Sequence, residues 1–304
     1  MKKLFVILLS VMMLLSTCAL AEGMQFTLKN VVLETNGEMV LDLTGLEAVA
    51  AIAATDGTVG GSLDIYGNGS NLGGVVLAAI GRQALIQMNG GNSYVVDLPE
   101  VDLSSVKDQI EDATDGKVDV SELIAKFDGI ATDGGVATVN GVEYQTTLIK
   151  VSEAQMAELL AKGSEVSDEV EDLEDIAASM EGAFYDGEGS DILDLTINMV
   201  ANDRPVELSV NVEHTEDSGA HLVALNLTGW VDDESFGISA DVEITETAGE
   251  SWLPTDIGGA VELSLDELAD SDGPLAQDAM AMAQSIAMSA LSVVFSNQMA
   301  AGAE

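Results

Sequence analysis

The chain has 304 residues, 47% of them hydrophobic, and sets 53 acidic side chains against 10 Lys and Arg, a net charge of −43 at pH 7. Such a field repels nucleic-acid phosphates and anionic membrane surfaces, while the hydrophobic fraction lacks the low hydrophobicity that is the other half of the signature of disorder. What remains is an apolar core under an acidic surface, read first as a solvated surface that keeps the protein soluble and alternatively as one that attracts divalent cations or a basic protein partner.

At the N-terminus, Lys2 and Lys3 precede an apolar run over 4–15, and Ala19-Leu20-Ala21 supplies a small-x-small cleavage site. This is the anatomy of a secretory signal peptide over 1–21, which places the protein outside the cytoplasm, secreted or otherwise extracytoplasmic. Lipid anchoring at Cys18, the only cysteine, is a rival reading, but Thr17 stands where lipoprotein signals carry Gly or Ala. Cleavage after Ala21 removes Cys18 and with it disulfides, thiolate nucleophiles and zinc–thiolate sites. Residues 22–304 are then expected to form a single β-rich domain held by its core, which a chain of this size can build.

In the first half the spacing predicts strands over 26–34, 38–43, 48–54, 62–67, 74–80, 83–89 and 93–98. They are punctuated by Asn36-Gly37, Asp56-Gly57, Asn68-Gly69 and Asn89-Gly90-Gly91, which supply positive φ at tight turns. Glycine-rich 67–73 is such a turn, since it does not match Gly-x-Gly-x-x-Gly and no parallel βαβ unit surrounds it. Alanine and glycine are frequent here, so the alternation is noisy.

Helical insertions follow near 103–127 and 152–181. Between the two short amphipathic helices of the first lies 111–122, which has the length of an EF-hand loop, with Gly116 at position six and Glu122 at position twelve. Ala113 at position three offers no oxygen and Glu111 replaces the Asp wanted at position one, so a loop between helices explains it better. Residues 136–151 read as a hairpin around Asn140-Gly141 that runs into a helix. Ser152 and Gln155 make a capping box there, and Val151 and Met156 a hydrophobic staple. Acidic 165–181 is expected to continue as a polar helix.

Strict period-two alternation dominates 191–246 and predicts a four-stranded meander. Its first two strands carry Leu193, Leu195, Ile197 and Met199, then Val206, Leu208, Val210 and Val212, with polar residues between. These eight are the candidate ligand-binding face. His214 and His221 flank one hairpin link and could form half of a metal site, though no third ligand is defined. Trp230, ending a strand, reads as a core-edge anchor. The tail near 274–300 predicts one long Ala/Met helix. It is long enough to cross a membrane, but Gln284, Ser285, Ser289, Ser292, Ser296, Asn297 and Gln298 interrupt it and no Lys or Arg follows. A buried helix across a sheet face fits better.

This organisation resembles the LolA-like carriers and their LppX/LprG-type relatives, half-barrel sheets partly covered by helices. The residues that carry the resemblance are the strand VNGVEYQTTLIKVS and the helix EAQMAELL within 139–160, with GSLDIYG and GNSYVVDLP similar to early strands. The resemblance implies a lipid or other apolar ligand on the concave sheet face, and no functional residue carries over from it. The fold expected is α+β, a large antiparallel, half-barrel-like meander with helices packed on one face and a long C-terminal helix. With no nucleophile elbow, and with acids too numerous for any carboxylate pair to stand out, the sequence offers no catalytic constellation, cofactor or metal site. The expected function is non-enzymatic: binding of an apolar molecule or, alternatively, a structural or interaction role in the cell envelope.

Overall fold

The computed structural model describes residues 23–301, apart from 56–57, 90, 99–130, 158–176, 202–203, 216–219, 232–233, 247–251 and 255. The signal peptide, Cys18, the helices near 103–127 and the calcium-like loop 111–122 therefore lie outside the described residues. The fold is α+β, dominated by a large and mostly antiparallel open sheet. Its strands are β1 (Gly23–Thr35), β2 (Glu38–Asp42), β3 (Leu46–Thr55), β4 (Thr58–Gly67), β5 (Ser70–Ile80), β6 (Gln83–Met88), β7 (Ser93–Asp97), β8 (Ala131–Val139), β9 (Val142–Val151) and β10 (Ala178–Gly187). They continue as β11 (Ser190–Ala201), β12 (Arg204–Thr215), β13 (Ala220–Val231), β14 (Glu234–Glu246) and β15 (Val261–Leu263). Helix α1 (Leu265–Leu268) and the long α2 (Pro274–Ala301) close the described chain.

Hydrogen bonding runs in the order β15-β7-β6-β5-β4-β3-β1-β14-β13-β12-β11-β10-β9-β8, with β2 on β1. The chain divides into two compact units. One holds β2, β8–β13 and the adjoining parts of β1 and β14; the other holds β3–β7, β15, both helices and the remainder of β1 and β14.

The turns follow from the Asn-Gly pairs. Asn36-Gly37, Asn68-Gly69 and Asn140-Gly141 all have positive φ at both residues, 53° and 75°, 49° and 76°, and 51° and 87°. That is the requirement of the type I′ turn, whose twist matches antiparallel strands, so these dipeptides fix three hairpins.

In the helix-bearing unit the small residues of the first half acquire a reason. A Cβ on Gly73 would lie 2.8 Å from Ile286 Cγ1, and one on Gly67 would lie 3.0 Å from Val293 Cγ2. Glycine at these sites lets α2 approach β4 and β5 more closely than any side chain would allow. Asp278 near the start of α2 accepts hydrogen bonds of 2.7 Å from both the Tyr94 hydroxyl and the Asn92 amide. At the other end the Asn297 amide donates to the Thr44 carbonyl. Leu275, Ala279 and Met282 pack on the core of Met88, Tyr94, Val96 and Leu263.

The tail is therefore one helix across a sheet face, but not the buried helix expected. Among its described hydrophobic side chains only Val293 and Val294 are buried, and Met280, Met288, Leu291 and Phe295 are exposed. By length and composition 274–297 is also able to cross a membrane.

Two further expectations are corrected. Residues 178–181 belong to strand β10, not to a polar helix. The acidic run before them suggested a helix, and Gly182 and Ala183 mask the alternation of Ala178, Met180 and Phe184 that seats β10 between β9 and β11. Strand β15 was also unforeseen. It pairs in parallel with β7, Val261 opposite Tyr94, so the sheet is mixed. Three residues are too few to show a period. The cap at Ser152 forms as expected: the Ser152 N–H donates to Gln155 Oε1 at 3.0 Å at the head of a helical turn over 153–157. Met156 packs against the cluster containing Val151.

Candidate functional site

In the unit that holds β8–β13, the pairing register decides which side chains share a face. Leu193 lies opposite Val212, Leu195 opposite Val210, Ile197 opposite Leu208 and Met199 opposite Val206. All eight candidate residues therefore occupy one face of β11 and β12, because side chains on paired residues point the same way. Strand β13 extends this face, with Leu227 opposite Leu208, Leu225 opposite Val210 and Val223 opposite Val212. On the other side β10 adds Met180 and Phe184, and β9 adds Ile149 and Val151. Burial grades across it. Leu208 and Val210 are 2% and 1% exposed, Ile197 and Met199 are also buried, and Leu193, Leu195, Val206 and Val212 are half-buried.

A cleft of about 520 Å³ opens at the end of β11 and β12 where Met199 and Val206 lie. That volume falls within the ~300–1,000 Å³ usual for small-molecule sites. Alternation puts Asn198, Val200, Pro205, Glu207, Thr228 and Trp230 on the face opposite to the eight candidates. These residues line the cleft together with Phe236, Glu34 and Glu153. Trp230 is thus not the core-edge anchor expected: its ring is 45% exposed, and the Arg204 guanidinium lies 5.4 Å from its centroid. A tryptophan after a polar threonine and a glycine, one step out of phase with Val223, Leu225 and Leu227, is the signal that would have found it.

The two histidines do meet across the β12–β13 link. They are paired in register and stacked, with ring centroids 4.2 Å apart and planes 18° from parallel. Burial, and secondarily the neighbouring His214, push His221 down to about 4, so His221 is neutral at pH 7. Among the described residues no group of three or more His, Cys, Asp or Glu is placed to hold a metal ion.

No protein-family model matches the chain, and no curated protein matches it in sequence. Among solved structures, the lipoprotein LppX of Mycobacterium tuberculosis is similar at 13% identity, over 75% of this chain and 88% of that chain, with a TM-score of 0.15. At that score the similarity carries no argument about function.

Proposed function

We propose that this is an exported, non-enzymatic binding protein that holds a lipid or other apolar molecule against the face of β11 and β12. The observation that supports it is the register that gathers Leu193, Leu195, Ile197, Met199, Val206, Leu208, Val210 and Val212 on one face. In this reading Ile197, Met199, Leu208 and Val210 form the floor. The half-buried Leu193, Leu195, Val206 and Val212 touch the ligand, and burial of apolar area is the whole binding force. Residues 22–304 act as one exported domain after loss of 1–21, and no cofactor is needed.

A second reading is supported by the near-complete burial of Leu208 and Val210. It makes the face permanent core, and the protein then works through its acidic surface, on a basic protein partner in the cell envelope. One experiment separates the two. Native mass spectrometry and solvent extraction of the purified protein, with titration of a fluorescent long-chain fatty acid, should show bound lipid or saturable uptake. Leu195→Glu should abolish that uptake while the far-ultraviolet circular dichroism stays unchanged. An empty protein with no saturable uptake overturns the carrier reading in favour of the second.

A further inference from the structure

We infer that the cleft at the Trp230 end of β11–β14 is a separate binding site for a small organic cation carrying an apolar stem, such as an alkylammonium. Its walls supply both halves of that ligand. Val200, Pro205 and Phe236 offer apolar surface for the stem, and Val200 is half exposed. Trp230 offers an aromatic face, the best side-chain partner for an alkylated cation. Glu34, Glu153 and Glu207 line the same space, and no Lys or Arg is among the lining residues. An anionic head group would meet three carboxylates and no lining Lys or Arg, whereas a cation meets charge and quadrupole of the right sign.

The Trp230 ring already carries a cation of the chain, the Arg204 guanidinium, 5.4 Å from its centroid. Arg204 makes within the molecule the contact a ligand's cation would make, and the two compete for the same electron-rich region. The site shares only Met199 and Val206 with the apolar face, so fatty-acid uptake there and cation binding here stand or fall independently.

The test is isothermal titration of the full protein with three ten-carbon probes below their micellar concentrations: decyltrimethylammonium, decyl maltoside and decanoate. The ammonium should bind with a Kd about tenfold below those of the other two. Because a chain with 53 acids attracts any cation diffusely, two triple variants of equal charge decide specificity. Replacing Glu34, Glu153 and Glu207 with Gln should abolish the preference, whereas replacing the exposed Glu181, Glu213 and Glu246 with Gln should retain it. Trp230→Leu should weaken the ammonium more than the maltoside, and Arg204→Gln should tighten it severalfold by removing the competing guanidinium. Equal or tighter binding of the neutral or anionic probe overturns the inference. So does a cleft triple variant that behaves like the surface one, which would mark the attraction as diffuse only.

Discussion

Strands β4 and β5 meet α2 with Gly67 and Gly73, whereas β11 and β12 present Ile197, Met199, Leu208 and Val210 on their buried face. Both regions are antiparallel hairpins, yet they solve the burial of a sheet face in opposite ways. Where a helix lies on the strands, small residues bring its backbone close and the helix supplies the volume. Where large aliphatic side chains stand on the strands, the sheet supplies the volume itself and presents a continuous apolar face. The first arrangement fills its face with a helix; the second fills it with the side chains of the strands themselves.

The largest expected effect lies in the second region. Leu208→Asp places an unpaired charge at a site 2% exposed and should leave no cooperative thermal transition. Leu208→Ala should cost about 2–5 kcal/mol in denaturant unfolding. If Leu208→Ala costs under ~1 kcal/mol, the face is not core and the contrast collapses.

The first region breaks in the reverse sense, by adding atoms. A Cβ on Gly60 would lie 2.5 Å from the Leu77 carbonyl oxygen and 2.7 Å from Leu253 Cδ2. Gly60→Ala should therefore destabilise by about 1–3 kcal/mol. Gly237→Ala in β14 is the matched control, since the nearest atom to its Cβ is Glu34 Cβ at 3.7 Å, and its melting temperature should barely move.

The docking of α2 is sharpened by Asp278. Hydrogen bonds from Tyr94 and then Asn92 hold its carboxyl below the usual carboxylate range. A group whose folded pKa is depressed stabilises above its unfolded value and loses that contribution as pH falls through the folded one. Asp278→Asn should lower the melting temperature at pH 7, and the gap to the wild type should close as acid protonates Asp278.

The smallest effect belongs to the histidine pair. His221 titrates near 4 when folded against an ordinary 6.5. The unfolded chain takes up the proton first, so this contribution is full above 6.5, declines between 6.5 and 4, and is absent below. His221→Phe should flatten the slope of melting temperature against pH in that window; an unchanged slope would show that the stacked pair is not buried as described.

How much of this was legible depended on the strength of the local signal. The eight aliphatic residues of β11 and β12 alternate without interruption, so their common face could be read directly and the register agrees. Ser152 and Gln155 announced their cap for the same reason, since capping is local chemistry. Strand β10 was hidden because Gly182 and Ala183 dilute its period and an acidic run precedes it. The Gly and Ala content of β4 and β5 looked like weak strand character until α2 was seen against it.

By itself the sequence determined the turns, the alternating faces and the terminal helix, because each rests on residues within a few positions of one another. Only the tertiary structure decided where α2 lies, why its sheet is built from glycine, and that Trp230, Glu34 and Glu207 share a cleft. Those are contacts between residues far apart in the chain, and no period or spacing records which distant strand end a side chain will meet.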